Sequence, residues 1–319
     1  MSPTDAVPGR PPGRILLPYP AEQLGGPPQP GAELWDGSGE PPSQRVLDEV
    51  EFFVLPYRHT APALPLLARM ARLRVVQSLS AGVENVLPFL PPGVTLCNAR
   101  GVHDASTAEL AVALVLASLR GLPDFVRAQD AGRWQGRQLH SLADRSVLVV
   151  GHGSIGQAVE DRLTPFECTV RRVARTARTG PGGPVHAMAD LPGLLPGADV
   201  VVLTVPLTEA TRGLVDEAFL AAMKDGALLV NVARGAVVDT AALLVELNRG
   251  RLAAALDVTD PEPLPVGHPL WHAPNTLITP HTGGDSSAFL PRAHRLIRTQ
   301  LAHWLAGERL ENVILAPGA

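Results

Sequence analysis

Short apolar runs alternate along this chain with stretches whose apolar residues recur every three to four positions. RILLPY (14–19), VEFFVLP (50–56), LRVVQSLS (73–80) and VTLCNA (94–99) read as strands, because each is a brief apolar run bounded by turn-forming residues. Between two of them, ALPLLARMARL (63–73) has the spacing of a helix. STAELAVALVLASLRG (106–121) opens on a Ser/Thr cap and closes on Gly121, which predicts a buried helix. The polar stretch 127–145 then reads as a linker or arm. A second series follows, with strands in RSVLVVGHG, CTVRRVAR, DVVVLTVP, LLVNVARG, LAAALDV and NTLITPH and helices in SIGQAVEDRL, VDEAFLAAMKDG and TAALLVELNRG. Strand–helix alternation of this kind implies parallel sheets covered by helices. The expected fold is α/β, with two doubly wound parallel-sheet domains. Residues 1–13 are expected to be a disordered leader, 14–100 with 287–319 one domain, and 101–286 the other. The last helical pattern, 287–307, is expected to pack back toward the first domain.

Composition narrows the class. The chain has 319 residues, 45% of them hydrophobic and 18% charged, which is ordinary for a soluble globular protein. A net charge of −4 argues against nucleic acid or an anionic membrane as the main partner. Cys97 and Cys168 fall in strand patterns, so no disulfide framework is expected and the cytoplasm is the natural compartment. The leader MSPTDAVPGRPPGR has no apolar core and does not read as a signal peptide. The apolar run 108–119 is too short for a membrane span and carries Glu109.

Four strings carry candidate chemistry: GHGSIG (151–156), NVARGAVVD (231–239), DVTDPEP (257–263) and TPHTGG (279–284). GHGSIG follows an apolar strand and opens a helix, the context in which G-x-G-x-x-G binds a dinucleotide. Gly151 permits the tight turn, Gly153 lets the backbone approach a pyrophosphate, and Gly156 allows close helix–strand packing. Ser154 and Ile155 begin the helix whose N–H groups would face the phosphates. An enzyme preferring NAD would place an acid about 20 residues on, to hold the ribose hydroxyls. Here Arg175 stands 19 residues after Gly156, and a guanidinium there suits a 2′-phosphate. The cofactor expectation is therefore NADP(H), with NAD(H) possible.

Arg234 ends a strand pattern, where open α/β sheets keep their ligand crevice, and can grip a carboxylate with two parallel hydrogen bonds. Glu262 lies in a loop between Pro261 and Pro263. His281 follows Pro280 beyond another strand; a carboxylate beside it would raise its pKa and fit it to donate a proton near neutral pH. Asp239 and Asp257 are read as structural or cofactor-side residues. No His/Cys/Asp cluster has metal-ligand spacing, so no metal is expected.

These strings, with VPLTEATRGLVDEAFLAAMKDGALLVNVARGAVVD and NTLITPHTGG, closely resemble the D-isomer-specific 2-hydroxyacid dehydrogenase family over residues 80–319. The resemblance implies a flavodoxin-like substrate domain, a Rossmann cofactor domain and an active site in the interdomain cleft. It implies catalytic roles for Arg234, Glu262 and His281, with Arg234 orienting the substrate and His281 acting as acid/base. It further implies cofactor contacts at Val205, Pro206, Thr211, Val232, Ala233, Asp257 and Gly283. SLSAGVEN (78–85) corresponds to a loop whose N–H groups hold the substrate carboxylate, making Ser80, Ala81, Gly82 and Val83 candidates, with Leu55 and Tyr57 lining the same cleft. The implied activity is reduction of a small 2-keto acid of the glyoxylate/hydroxypyruvate type to the D-2-hydroxy acid, by a homodimer. Two alternatives stay open. An NAD-dependent D-3-phosphoglycerate dehydrogenase would need a basic pocket for the substrate phosphate, near which Arg58 lies. A dinucleotide-sensing corepressor-like protein would share the fold and the Arg/Glu/His set.

Overall fold

The computed structural model describes residues 13–25 and 31–317; the expected leader, apart from Gly13, lies outside the described residues. The chain divides into two compact units, one built from the residues up to His103 together with those from Ser287, the other from Asp104–Ser286.

The first unit contains β1 (Arg14–Leu17), β2 (Ala32–Leu34), β3 (Val50–Val54), β4 (Val75–Gln77) and β5 (Thr95–Cys97). They are parallel and ordered β2-β1-β3-β4-β5, the flavodoxin-like sequence of strands. Successive side chains of a strand point to opposite faces, so each strand feeds two apolar layers. Leu16, Phe53, Val76 and Leu96 enter one layer; Ile15, Leu17, Phe52, Val54 and Val75 enter the other. The second layer is covered by the helix Phe289–Ala306, whose Phe289, Ala293, Leu296, Ile297 and Leu301 recur at helical spacing.

The stretch 63–73 departs from the expected helix. A one-turn α-helix at Thr60–Ala63 gives way to a 3-10 helix at Leu64–Arg69, and the chain then turns. Pro65 lacks the N–H that an α-helical interior requires, while the tighter 3-10 turn still buries Leu64, Leu66 and Leu67.

In the second unit the chain forms β6 (Ser146–Val150), β7 (Thr169–Ala174), β8 (Arg178–Gly180), β9 (Gly183–Ala187), β10 (Val200–Leu203), β11 (Leu228–Asn231), β12 (Ala253–Leu256) and β13 (Thr276–Ile278). The order is β13-β12-β11-β10-β6-β7-β9-β8, the doubly wound Rossmann arrangement, and β8 alone pairs antiparallel. Val147 and Val149 of β6 join Val200 and Val202 of β10 under the helices Asp104–Leu119 and Ser154–Leu163. Leu148, Val150, Val201, Leu203 and Leu229 fill the opposite layer. Burial on both faces explains why these strands are uninterrupted apolar runs.

The hairpin β8–β9 is absent from the hydrophobic pattern because its Gly- and Pro-rich sequence carries almost no apolar alternation; pairing of β9 with the edge of β7 creates it. The polar stretch 127–145 lies wholly within this unit, starting as the end of the helix Leu122–Asp130 before running irregularly to β6. From Ser287 the chain is again part of the first unit, where β14 (Val313–Leu315) pairs antiparallel with β5. No single helix among the described residues is long and apolar enough to cross a membrane.

Leu148 has no exposed surface and stands at the centre of the larger sheet. Leu148→Ala is expected to destabilise the second unit by about 2–5 kcal/mol, measured as a lowered urea midpoint with the slope unchanged.

Candidate active site

Strands β6, β7, β10, β11, β12 and β13 run parallel, so the loops that follow them emerge at one edge of the sheet. The dinucleotide loop follows β6. Gly151 has φ +106°, and a side chain there would sit 2.6 Å from the backbone of Thr204 and Val205. Gly156 packs still more closely against the Gly151 carbonyl, so a larger residue would force the helix away from the strand. Gly153 faces open space, which leaves room for a phosphate to approach the backbone. The helix Ser154–Leu163 starts directly after it, and the first N–H groups of a helix have no intrahelical partner. Open space beside free helix-terminal donors fits a dinucleotide pyrophosphate. Ser154 Oγ donates to Asp104 Oδ1 at 3.1 Å, and Ile155 packs into the adjacent core.

Arg175 follows β7 directly, and its side chain is exposed. Nearby, Glu160 accepts from Arg172 Nε at 2.6 Å and pairs with His152 Nε2 at 2.7 Å, three groups that are nearly buried. The Arg172 hydrogen bond, aided by His152, holds the Glu160 carboxyl below the usual carboxylate range. Arg178 donates to the His152 carbonyl at 2.5 Å and so brings a cation to the dinucleotide loop. Sequence reasoning overlooked Arg178, although the spacing RTAR marks it.

The other loops at this edge carry the remaining cofactor candidates. Val205 and Pro206 follow β10; Val205 is buried and Pro206 exposed. The Thr211 hydroxyl donates to the Pro206 carbonyl at 2.6 Å, closing that turn. Val232 and Ala233 follow β11 and are buried, and the Ala233 carbonyl accepts from Arg234 Nη1 at 2.7 Å. Asn231 further fixes the Arg234 backbone, donating from Nδ2 to its carbonyl at 3.0 Å. Gly235 is packed against the Thr259 carbonyl, which joins the arginine loop to the loop that carries Glu262.

His281 lies beyond β13 with φ +52°, a left-handed conformation unusual for a residue other than glycine. Asp257 accounts for it. The Asp257 carbonyl accepts from the His281 N–H at 2.8 Å. One carboxylate oxygen accepts from Thr279 Oγ1 at 2.6 Å and Thr282 N at 2.9 Å, the other from Gly283 N at 2.9 Å. Asp257 and Gly283, both expected at the cofactor, thus bond to each other inside the protein. Asp239 is likewise structural, capping the helix Thr240–Asn248 through Ala241 N and Ala242 N.

His281 Nδ1 meets Glu262 Oε1 at 2.5 Å. That hydrogen bond raises the His281 pKa above its ordinary 6.5; partial burial and the Arg234 charge oppose the rise, while the Glu262 charge and Asp257 add to it. Burial pushes the Glu262 carboxyl up, but the His281 bond and charge, the Thr259 backbone and Arg234 outweigh it, and its pKa falls below the usual value. Arg234, Glu262 and His281 therefore share one electrostatic environment. With Nδ1 engaged, Nε2 is the histidine atom left for proton transfer.

Leu55, Tyr57 and residues 80–83 belong to the first unit and also follow the C-terminal ends of strands, β3 and β4. Leu55 is buried in the core, whereas Tyr57 is half-buried and stacks with His103 and Phe289 at 5.3 and 4.3 Å between ring centres. Ser80, Ala81 and Gly82 are half-buried and Val83 is buried.

Comparison with known proteins agrees with this geometry. Residues 112–283 match the family model described as D-isomer specific 2-hydroxyacid dehydrogenase, NAD binding domain. The human glyoxylate reductase/hydroxypyruvate reductase is 34% identical over 250 residues, 75% of this chain and 76% of the human protein. A D-isomer specific 2-hydroxyacid dehydrogenase from Xanthobacter autotrophicus Py2, solved with NADPH and MES, superposes with a TM-score of 0.79 at 32% identity, covering 95% of this chain and 98% of its own. The NADPH-dependent glyoxylate/hydroxypyruvate reductase from Sinorhizobium meliloti, solved with NADP and sulfate, gives 0.75 at 28% identity over 83% and 84% of the two chains. This chain belongs to the D-isomer specific 2-hydroxyacid dehydrogenase family and is an oxidoreductase acting on 2-hydroxy acids with a nicotinamide dinucleotide cofactor.

Proposed function

We propose that the protein reduces a small 2-keto acid of the glyoxylate or hydroxypyruvate type to the D-2-hydroxy acid, with NADP(H) preferred over NAD(H). The observation that carries this reading is the 2.5 Å His281–Glu262 pair in the field of Arg234. When bound, the nicotinamide dinucleotide supplies the hydride that reduces C2 of the substrate. Arg234 and the N–H groups of residues 80–83 hold the substrate carboxylate and polarise the carbonyl. The C2 oxygen gains a proton from Nε2 of the His281 imidazolium, which becomes a neutral imidazole and is then recharged from solvent. Glu262 keeps the imidazole oriented and favours its protonated form. Gly151, Gly153, Ser154 and Ile155 would hold the pyrophosphate, Val205, Pro206, Thr211, Val232 and Ala233 would line the remainder, and Arg175 with Arg178 would meet a 2′-phosphate. The active species is a homodimer on this reading.

A panel of 2-keto acids assayed with NADPH and NADH in parallel tests the proposal. Glyoxylate or hydroxypyruvate with NADPH should give the highest kcat/KM; a preference for 3-phosphohydroxypyruvate, or for NADH, would overturn substrate or cofactor choice respectively. Arg175→Ala should raise the KM for NADPH roughly tenfold while leaving that for NADH unchanged, since a charge-assisted bidentate contact is lost only for the phosphorylated cofactor.

His281→Ala should lower kcat about 10²–10⁴-fold with NADPH binding intact, as expected for loss of a general acid. The reduction rate should be flat at low pH and fall as pH rises through a pKa above 6.5, because reduction needs the protonated imidazole. In Glu262→Gln that fall should move to lower pH. An unshifted profile would remove Glu262 from its role. Light scattering of the purified chain should give about twice the monomer mass of 33.6 kDa.

A further inference from the structure

Fully buried side-chain amides need a reason, since each must find its hydrogen bonds within the protein. Gln77 and Gln300 are both 0% exposed and hydrogen-bond to each other across the first unit. The direction of each bond follows from one backbone group. The Glu311 N–H can only donate, so it meets Gln300 Oε1, at 2.8 Å. Gln300 Nε2 must then donate, to the Glu311 carbonyl at 2.9 Å and to Gln77 Oε1 at 2.6 Å. This leaves Gln77 Nε2 to donate to the carbonyls of Ser78, at 2.7 Å, and Asn98, at 3.0 Å.

These bonds end on the loop that follows β4. The Ser78 carbonyl accepts from Gln77, that of Leu79 from His103 Nε2 at 2.8 Å, that of Ser80 from Ala99 N at 2.9 Å, and that of Ala81 from Asn98 Nδ2 at 2.7 Å. Four successive carbonyls are tied into the unit. In a trans peptide the C=O of one residue and the N–H of the next point in opposite directions. Holding the Ser80 and Ala81 carbonyls inward therefore turns the N–H groups of Ala81 and Gly82 outward. Among the described residues no acceptor is paired with the N–H of Ala81, Gly82 or Val83.

We propose that Gln77 and Gln300 are positioning residues for this loop: the Glu311–Gln300–Gln77 relay fixes Ser78 and Asn98, and Asn98 fixes Ala81, so that the loop presents N–H groups to an anion while the carbonyls of Ser78 through Ala81 are held away from it. This rests on the reading that residues 80–83 hold the substrate carboxylate. Preorganised donors bind an anion without the cost of reordering the loop each time, so disturbing the relay weakens substrate binding rather than the proton transfer.

The test uses Gln77→Met and Gln300→Leu in the full chain, with glyoxylate and NADPH. Gln300→Leu extends an apolar helix face and serves if Gln77→Met does not fold. The expected result is a KM for glyoxylate raised about five- to tenfold, as for loss of one or two buried hydrogen bonds. The KM for NADPH and the kcat should change less than twofold. Gly82→Pro, which deletes one of the outward N–H groups, should raise the glyoxylate KM as well. If Gly82→Pro raises it and both glutamine variants keep the wild-type value, the relay proposal falls and the loop reading stands. An unchanged glyoxylate KM in Gly82→Pro overturns the loop reading and the proposal with it. Parallel losses in both KM values and kcat would assign the glutamines a purely structural role, which also overturns it.

Discussion

Parallel pairing is the constraint on which the rest of this structure depends. A parallel strand must be followed by a crossover before its neighbour begins, so the strand ends gather at one edge while helices bury both faces. Residues far apart in sequence then become neighbours without any local signal linking them. Gly151, Arg175, Val205, Arg234, Asp257 and His281 follow six different strands of the second unit, yet all stand at the same edge. The first unit repeats the logic, with Leu55 after β3 and Ser80–Val83 after β4. The uninterrupted valine and leucine runs of β6, β10 and β11 keep both sheet faces in the core, which leaves the loop edge for chemistry.

At that edge two carboxylates beside one histidine have different tasks, and their hydrogen bonds decide which has which. Both oxygens of Asp257 are engaged by donors from 279–283, so it acts as a fixed brace that holds the loop and the left-handed backbone of His281. Glu262 stands in a half-exposed loop with the imidazole as its close side-chain partner, and its charge is the one that follows the histidine. The linkage has opposite signs for the two members. His281 has a raised pKa, so its contribution is complete below the ordinary value and fades as pH rises through the raised one. Glu262 has a lowered pKa, so its contribution is complete above the ordinary carboxylate value and fades as pH falls through the lowered one. Between those limits, below the raised imidazole value and above the lowered carboxylate value, the charged pair persists.

Most of the fold was legible because burial on two faces leaves a plain mark: RILL, SVLVV, VVVL and LLVN are all strands. What escaped was set by tertiary context. Pro65 converts the expected helix at 63–73 into a 3-10 turn, and β8–β9 exists only because β7 offers an edge to pair with. Arg234 and His281 stood out by residue type at strand ends, Glu262 only through the family resemblance, and His281 and Glu262 do meet. The bracing role of Asp257 was not legible, since nothing in the sequence shows that its carboxylate ties down Thr279, Thr282 and Gly283. The glutamine relay was illegible for a related reason: Gln77 and Gln300 look like ordinary polar residues until burial and a separation of 223 positions bring them together.

The loop after β6 and the loop after β4 arrange their backbone dipoles in the same way. A loop that is to bind an anion must offer N–H groups while keeping its carbonyl dipoles away from the negative charge. After β6, the Gly151 carbonyl accepts from Thr204 Oγ1 at 2.5 Å, that of His152 from Arg178 at 2.5 Å, and that of Gly153 from Gln157 N at 2.9 Å. After β4, the carbonyls of Ser78 through Ala81 are held by Gln77, His103, Ala99 and Asn98. The partners differ in type, yet each loop has its successive carbonyls consumed by donors of its own unit. Side-chain donors act in both loops, Thr204 and Arg178 on the first and Gln77, His103 and Asn98 on the second. The donors leave no local mark beside either loop, because they come from positions as distant in sequence as Gln300 is from Gln77.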